Sequence, residues 1–348
     1  MTKYNAKNER IKKDFYEFLQ ESKGRNSKTL DQVRNAIFRF ESYTKFKDFS
    51  TFRKEQAVGF KKYLAKQKTK RNGDAMSKST LLHISTNLKQ FFIWLREQKG
   101  FEKIKITEIE YFNLLDNDIK IAKAKRIKHF PTIEQVRKVI FSLPSKTDIE
   151  KHHQALIAFT ILTGARDLAI ATLKIKHVDI HRRLVTQDPK DGVKTKKSKL
   201  IYTKFFPIGD DIEKIVIDWV RFLKEEKLYS ITDPLFPRIK LGHDKNFSFE
   251  AQGLEPIHWK TSSQIRKIFK NSFEQFDLPY FNPHSFRDTL NEIGKNSCNI
   301  AQYKAWSQNL GHEKMSTSLD NYGNIDTHRQ LELIDSVKEL NKSNCFNY

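Results

Sequence analysis

The stretch from Asn282 to Asn324 organises the chain, and it reads NPHSFRDTLNEIGKNSCNIAQYKAWSQNLGHEKMSTSLDNYGN. It places His284 and Arg287 three residues apart, His312 after a glycine, and Tyr322 ten residues beyond His312. A phenol is a weak nucleophile at neutral pH because its unperturbed pKa is about 10. It becomes effective where fixed positive charge stabilises the negative charge that develops during attack. The stretch therefore indicates chemistry at an anionic centre.

A second arginine, Arg166, lies in the apolar segment FTILTGARDLAIATLKIKHVDI. Two arginines, two histidines and one tyrosine suit attack on a phosphodiester, since guanidinium groups match non-bridging phosphate oxygens in fork geometry. The competing interpretation is that Arg166 is a structural ion-pair partner of Asp167, the next residue.

The charge of the chain points to the same kind of partner. Its 348 residues include 64 Lys+Arg and 42 Asp+Glu, a formal net charge of +22. Residues 1–128 hold 31 basic and 15 acidic residues, a net of +16, which leaves +6 for residues 129–348. This excess indicates a polyanion, above all nucleic acid, and makes the N-terminal part the stronger electrostatic clamp. The alternative is a basic protein whose charge is only solvated.

Several other classes of protein are disfavoured. Two distant cysteines, Cys298 and Cys345, support neither a disulfide framework nor a cysteine-based zinc site. No HExxH, GxSxG or GxxxxGK[ST] motif occurs, so no metal or nucleotide cofactor is expected. The N-terminus lacks the apolar core of a signal peptide, and no apolar run approaches the roughly 18 residues of a membrane span. We therefore expect a cytoplasmic, nucleoid-associated protein with no membrane partner.

Hydrophobic periodicity predicts a mainly α-helical protein with a small β-sheet. Residues 1–100 are predicted to form a four-helix DNA-binding domain, and residues 101–128, which end in KIAKAKRIK, a basic linker. Residues 129–348 are predicted to form a mixed α/β catalytic domain with a C-terminal helix near 327–340. The four N-terminal helices are predicted at 6–22, 28–44, 53–67 and 78–98. In the second domain, one helix is predicted to start at 132. Further helices are predicted at 152–162, 210–227, 261–277, 284–295 and 300–309.

A β-hairpin is predicted in the second domain. The segments RLVTQ (183–187) and KLIYTKFF (199–206) have strand composition, and the lysine-rich turn DPKDGVKTKKS lies between them. Five lysines lie in or next to this turn: Lys190, Lys194, Lys196, Lys197 and Lys199.

Taken in order, these motifs resemble those of the tyrosine site-specific recombinases, the phage and mobile-element integrase family. The resemblance covers nearly the whole chain, from a basic helical domain to a catalytic domain with an arginine, a hairpin lysine, HxxR, a histidine and a tyrosine. Each motif alone is weak, whereas five in this order are strong. The matched motifs are TGAR at Arg166, the lysine hairpin GVKTKKSKLIYTKFFPIG, HSFR at His284 and Arg287, LGH at His312 and DNYG at Tyr322. In the hairpin, the resemblance makes Lys194 the best candidate for the catalytic lysine, and its competitors are Lys190, Lys196, Lys197 and Lys199.

Alternatives and one departure accompany these matches. His284 could cap the helix after Pro283, and His312 could be a core histidine. Tyr303 and Tyr280 compete with Tyr322 as the nucleophile. The family commonly has an acidic residue three positions after its first arginine, where this chain has an alanine, Ala169. The usual support of the active-site network is therefore in question.

The resemblance implies a mechanism. Tyr322 attacks a scissile DNA phosphate, forms a 3′-phosphotyrosyl bond and releases a 5′-hydroxyl group. Arg166 and Arg287 hold the non-bridging oxygens, and Lys194 protonates the leaving oxygen. His284 assists proton transfer at Tyr322.

In the same implied mechanism, His312 donates a hydrogen bond to the phosphate. Strand exchange passes through a Holliday junction in a tetramer on two double-stranded DNA recombination sites, with no metal or nucleotide. The helix after Tyr322 docks on a neighbouring subunit or packs on its own domain.

Two other functions stay open from the sequence. A type IB topoisomerase or a hairpin telomere resolvase would use the same chemistry without joining two sites. A DNA-binding relative that has lost cleavage is the second, and Ala169 is the feature that supports it.

Overall fold

The computed structural model describes residues 4–68, 73–124, 128–243 and 249–312. Within them the chain is mainly helical, with two small antiparallel sheets. This confirms the predicted fold class. The chain divides into two compact units, Met1–Arg126 and Ile127–Tyr348, and each has its own hydrophobic core. No helix in the described ranges is long and apolar enough to cross a membrane.

In its described residues, the first unit contains the four predicted helices and two short α-helices. Its core is aromatic: the Phe40 ring meets those of Phe60 and Phe92 nearly edge to face, at centroid distances of 5.3 and 5.4 Å. Such pairs add to the stabilisation from area burial. The helices are α1 (Ala6–Glu17, continued by a π-helical turn Phe18–Ser22), α2 (Ser27–Tyr43), α3 (Lys54–Lys66), α4 (Lys78–Arg96), α5 (Ile106–Ile109) and α6 (Asp116–Lys123).

The segment 101–128 differs from the basic linker that its composition predicted. It contains α5 and α6, and the side chains of Phe101, Ile104, Ile109 and Phe112 are buried in the core of the first unit. The lysines of this segment make it look like a linker. Its apolar side chains can nevertheless be buried at helical or turn spacing while the basic side chains between them stay in water.

The second unit is built around helix α8. Every residue from Ala155 to Thr163 is buried, because other elements cover this helix on all sides. Its elements are α7 (Ile133–Ser142), α8 (Asp148–Thr163), α9 (Asp167–Ile170), β1 (Val178–Asp179), β2 (Leu184–Gln187), β3 (Ile201–Lys204), α10 (Asp210–Arg221, continued by a π-helical turn Phe222–Glu226), β4 (Arg238–His243), β5 (Phe249–Glu255), α11 (Ser263–Glu274), α12 (Phe286–Ser297) and α13 (Ile300–Asn309).

The predicted hairpin is present as β2 and β3, which pair antiparallel with Val185 opposite Thr203, and β1 adds a third strand beside β2. A second hairpin, β4–β5, was not predicted. Its strands lack the alternation of a half-buried sheet, since Leu241 is 63% exposed and glycines interrupt both strands. The predicted helix at 327–340 lies outside the described residues.

A buried histidine in α8 gives the second unit a pH-dependent stability. His152 is fully buried among the rings of Trp219, Phe236 and Trp259. Neither of its ring nitrogens reaches a partner with hydrogen-bond geometry, although the backbone of Pro237 lies close enough to oppose the effect of burial in part. Burial lowers the pKa of His152 to about 3, so the folded protein holds this ring neutral.

We expect acid to destabilise the protein through His152. Its pKa is lower in the folded than in the unfolded chain, so the stabilisation is complete above about pH 6.5 and is lost as the pH falls towards 3. Between pH 7 and 4.5 this one group should account for about 2–3 kcal/mol. The measurement is urea unfolding, followed by tryptophan fluorescence, of the wild type and His152→Phe at both pH values. An equal loss of stability in the two proteins would contradict the prediction.

Candidate active site

The end of α8 and the start of α9 present Arg166. Gly164 ends α8 with a left-handed backbone, φ 59°, and its N–H donates to the Thr160 carbonyl. A Cβ at Gly164 would lie 2.6 Å from Leu310 Cδ2 and 3.0 Å from Leu290 Cδ1, so conformation and space both require glycine. The TGAR sequence thus ends one helix and begins the next with Arg166 at the junction.

The Arg166 guanidinium is half-buried, and burial lowers its pKa. It has no hydrogen-bond or ion-pair partner in the described part of the chain. The Asp167 carboxylate is held instead by Arg266, whose Nε and a terminal nitrogen lie 2.8 and 2.7 Å from Asp167 Oδ2. The interpretation of Arg166 as the partner of Asp167 is therefore wrong. Arg166 is a cation that an external anion can approach.

Arg287, in the first turn of α12, is buried, with 5% of its surface exposed. Its guanidinium donates to the Gly164 carbonyl at 2.6 Å, to the Leu310 carbonyl at 2.5 Å and to His312 Nε2 at 2.9 Å. Burial and, after it, the charge of Arg166 lower the pKa of Arg287 to about 9. One side chain thus joins the end of α8 to the segment that follows α13.

His312 lies on the other side of that guanidinium. Its Nε2 faces Arg287, which can only donate, so Nε2 must carry the lone pair and Nδ1 the proton. Nδ1 lies 3.4 Å from Ser307 Oγ. The preceding residue, Gly311, has φ 71° and packs so closely on Ile201 of β3 that a Cβ would lie 3.0 Å from its Cδ1. LGH therefore places the histidine through a glycine contact with the hairpin.

His312 is held neutral. Burial lowers its pKa to about 4, and the charges of Arg287, Arg166 and Lys196 act in the same direction. In this state Nε2 accepts from Arg287 and has no proton to give to a phosphate. A hydrogen bond from His312 to a bound phosphate therefore requires a proton at Nε2, which the anion itself favours by raising the pKa.

His284 is exposed at the 3₁₀ turn Pro283–Ser285. The side chain that caps this turn is that of Asn282, whose Oδ1 accepts from the N–H groups of His284 and Ser285. The His284 imidazole does not cap the helix. Desolvation by the surrounding protein lowers the pKa of His284, followed by the charge of Arg287.

These four side chains form one electropositive site. The charges of Arg166 and Arg287 both lower the pKa values of His284 and His312, which places all four within electrostatic range of one another. Asp288, whose charge raises the pKa values of His284 and Arg287, lies 3.4 Å from the Lys128 ammonium. Because the histidines are neutral and both arginines are charged, the site favours an anion with several oxygens, such as a phosphodiester.

The lysine-bearing turn of the β2–β3 hairpin adjoins this site. Thr203 Oγ1 of β3 donates to the Asn309 carbonyl at 3.1 Å, and the Lys204 N–H donates to Asn309 Oδ1 at 2.7 Å. These bonds tie the hairpin to the end of α13, just before His312. The Lys194 side chain is exposed, and its backbone N–H donates to Thr172 Oγ1 at 2.9 Å.

The hairpin lysine with a resolved effect on the site is Lys196, whose charge lowers the pKa of His312. Lys197, next in the turn, has a left-handed backbone with φ 60°, so the chain reverses there. The geometry keeps Lys194 and Lys196 both as candidates for the proton donor, and it adds an argument for Lys196 that composition did not supply.

The proposed nucleophile, Tyr322, lies outside the described residues. The surroundings of Tyr303 argue against it as the nucleophile. It is 5% exposed, and its hydroxyl donates to Oδ1 of Asn291 in α12 at 2.9 Å. Tyr280 packs partly buried against the core of the second unit. Ala169 is buried in α9 with 1% of its surface exposed, so an acidic side chain there would need a buried partner.

Sequence reasoning missed a group of polar residues beside the hairpin. The Asp191 carboxylate accepts hydrogen bonds from Lys174, Lys176 and His177. The sequences KIKH and KDG carry no recognisable signal for this arrangement, because the pairing depends on how the hairpin folds back on the segment after α9.

Comparison with known proteins agrees with the fold and with the family that the motifs resemble. No family model matches the chain. A probable integrase/recombinase of Aquifex aeolicus is 21% identical over 327 residues, which cover 90% of this chain and 95% of that protein. Tyrosine recombinase XerD of Listeria monocytogenes is 23% identical over 334 residues, which cover 94% and 97%.

Solved structures show the same fold. The Tn1549 transposon integrase in complex with transposon right end DNA has a TM-score of 0.59 at 14% identity and covers 93% of this chain and 98% of that one. A lambda integrase dimer bound to a core site has a TM-score of 0.58 at 12% identity, with 92% and 98% covered. The resemblance of this chain to the tyrosine recombinases, inferred from its motifs, is thus confirmed over nearly its whole length.

Proposed function

We propose that this chain is a site-specific DNA recombinase that cuts and rejoins strands through a 3′-phosphotyrosyl intermediate. The observation that carries the proposal is the half-buried Arg166 guanidinium, which has no partner among the described residues and lies within electrostatic range of the buried Arg287–His312 pair. A cation desolvated in this way is costly unless an anion completes it. Curated relatives of this chain are named integrase/recombinase and tyrosine recombinase, and two solved structures with its fold are complexes with DNA.

In the proposed reaction, the Tyr322 oxygen attacks the scissile phosphorus, and the bond from phosphorus to the 5′ oxygen breaks. Arg166 contacts the non-bridging oxygens directly, where negative charge grows in the transition state. Arg287 is buried, so it adds its charge from within the protein, and its bond to the Gly164 carbonyl keeps the end of α8 in place. The proton for the leaving oxygen comes from Lys194 or Lys196.

Both histidines are uncharged at neutral pH before the phosphate binds. His284, exposed at the mouth of the site, can accept the phenolic proton of Tyr322 because its lowered pKa leaves a free lone pair. His312 takes a proton at Nε2 as the phosphate binds and then donates to it. The 5′-hydroxyl of a partner strand attacks the phosphotyrosine in the second step, so the energy of the bond is conserved.

The assembly and location follow from this chemistry. Exchange between two duplexes needs four active subunits, and we propose a tetramer that passes through a Holliday junction on two DNA sites. The substrate places the protein with the nucleoid in the cytoplasm. A type IB topoisomerase or a telomere resolvase would reseal within one duplex, so a trapped Holliday junction distinguishes recombination from both.

The test is covalent trapping. A pool of duplexes of randomised sequence is enriched for binding to the protein, and each recovered duplex is then nicked near its centre. Cleavage near the nick releases a short strand, so the covalent complex accumulates. Peptide mapping of the labelled complex should place the DNA on Tyr322. Binding without any covalent product would identify the protein as an inactive DNA-binding relative.

Cleavage is expected to continue in excess EDTA, because side chains supply the positive charge at the phosphate. The measurement is the rate of covalent-complex formation with EDTA, and again after Mg²⁺ is added. Loss of cleavage in EDTA and its recovery with Mg²⁺ would argue for metal-assisted chemistry.

We propose that the first unit provides most of the grip on the DNA backbone, since residues 1–128 carry +16 of the +22 formal charges. A fragment that begins at His129 should bind DNA more weakly. Each lost phosphate contact should reduce the slope of log affinity against log salt by roughly 0.9. The measurement is a salt titration of both proteins, with circular dichroism to verify that the fragment is folded. Equal slopes would mean that the N-terminal charge is only solvated.

A further inference from the structure

One carboxylate beside the hairpin accepts three charged or polar donors. Asp191 receives the ammonium groups of Lys174 at 2.8 Å and Lys176 at 2.7 Å, and the ring nitrogen Nε2 of His177 at 2.7 Å. Its side chain is 30% exposed. The lysine and histidine donors hold the pKa of Asp191 well below its usual range, so it is ionised under all conditions of an activity assay.

The donors are themselves fixed. His177 is 5% exposed, and its Nδ1 accepts from the Lys174 backbone N–H at 2.9 Å, so its proton lies on Nε2 and points at Asp191. Lys174 Nζ also donates to the Asp191 backbone carbonyl at 3.0 Å. Both the carboxylate and the backbone of Asp191 are therefore held against the 3₁₀ turn Ile175–His177.

Asp191 lies at the base of the lysine-bearing turn. It ends the 3₁₀ turn Pro189–Asp191, and Gly192 follows in a left-handed conformation, with φ 89°. Val193 is then buried, and the Lys194 N–H is bonded to Thr172 Oγ1 at 2.9 Å. From there the chain enters the exposed turn.

The residues that hold the base of the turn all belong to the segment after α9. Arg166 immediately precedes α9. Thr172 and Lys174 lie within eight residues of Arg166 in sequence. The Asp191 contacts therefore set the distance between the first arginine and the root of the turn that carries Lys194 and Lys196. The lysine side chains above this root are exposed, so their position depends on how firmly the root is held.

We propose that Asp191 is a positioning residue for the lysine that protonates the leaving 5′ oxygen. This inference rests on the proposed function. The carboxylate fixes the root of the turn, and the ammonium group of the turn then reaches the leaving oxygen. Misplacement of a catalytic group by about 1 Å can cost a factor of about 100 in rate, and general acid catalysis is worth about 10²–10⁴.

The proton balance of the step suggests a specific readout. As the phosphorus–oxygen bond breaks, the 5′ oxygen takes one proton from the lysine ammonium. If sulfur replaces that bridging oxygen, the leaving thiolate needs no proton. A misplaced lysine therefore slows cleavage of the oxygen substrate and not of the 5′-thio substrate, whereas a lost phosphate contact slows both.

The experiment compares wild type and Asp191→Asn on nicked duplexes with a 5′-oxygen or a 5′-sulfur leaving group. Asparagine keeps the size of the side chain but loses the charge and half of the acceptor capacity. We expect cleavage of the oxygen substrate to fall about 10–100-fold, with DNA affinity unchanged, and cleavage of the sulfur substrate to stay near the wild-type rate. Normal cleavage of the sulfur substrate would also prove that the variant is folded.

Two further variants are the controls. Asp148→Asn removes one lysine–carboxylate contact of the same 2.8 Å length, to Lys227, at the start of α8, and should cleave both substrates at the wild-type rate. Arg166→Ala should be slow on both, because it removes a contact to the phosphate.

The outcomes separate the inference from the function on which it rests. Equal loss on both substrates, or no loss on either, would overturn the role of Asp191 while wild-type cleavage upheld the proposed function. If wild type formed no covalent complex with either substrate, the proposed function would fail.

Discussion

Tyr322→Phe is expected to abolish the covalent complex with DNA and to leave DNA affinity close to that of the wild type. The substitution removes one oxygen and leaves the ring. Without that oxygen no other group can form the phosphotyrosyl bond, and the arginines and histidines still bind the phosphate. The measurement is covalent trapping on a nicked duplex, together with an affinity titration.

Tyr303→Phe is the matched control. The Tyr303 hydroxyl is buried in a hydrogen bond to Asn291, so its loss should lower stability by about 1 kcal/mol and leave covalent trapping intact. Tyr202→Phe, on the exposed face of β3 at 60% exposure, should change neither property. If the covalent complex persists in Tyr322→Phe and disappears in Tyr303→Phe, Tyr303 is the nucleophile and the assignment to Tyr322 is wrong.

The motifs were predictable because each is set by local chemistry. Arg287 and His284 are three residues apart at the start of one helix, so their relation does not depend on distant parts of the chain. The glycines of TGAR and LGH have a left-handed backbone, a conformation that glycine adopts more easily than other residues. The helices followed from apolar periodicity, and α13 begins and ends where that pattern places it.

The remaining features depend on contacts between distant segments. The choice between Lys194 and Lys196 depends on how the turn above β2 and β3 bends, and composition gives five equivalent lysines there. The three donors of Asp191 meet only because the hairpin folds back on the segment after α9. The burial of Phe101 and Phe112 depends on packing against helices that lie earlier in the chain.

Arg166 and Arg287 differ in their contacts with the rest of the protein, and the second prediction with a large expected effect follows from this difference. Arg287 serves the fold as well as the site: it donates to two buried carbonyls, of Gly164 and Leu310. Arg166 has no partner in the described part of the chain, and its charge opposes that of Arg287. A half-buried charge that has no partner among the described residues costs stability in the free protein.

Arg166→Ala is therefore expected to lower cleavage by a factor on the order of 10²–10³, as for loss of one preorganised donor, and to leave thermal stability unchanged or slightly raised. Arg287→Ala should lose cleavage to at least the same extent and also destabilise the fold. It leaves two buried carbonyls without a donor, at about 1–3 kcal/mol each. The measurements are single-turnover cleavage and thermal unfolding of both variants, with Arg166→Lys to separate charge from fork geometry.

The two stability measurements decide the interpretation. Cleavage alone cannot, because loss of either arginine slows it. If Arg166→Ala unfolds as readily as Arg287→Ala, then Arg166 is a structural residue, and the case for an open anion site collapses with it. If only Arg287→Ala is destabilised and both are inactive, the free guanidinium is held unpaired for an external phosphate. Arg166→Lys should then recover only part of the activity, because an ammonium group cannot contact two phosphate oxygens at once in fork geometry.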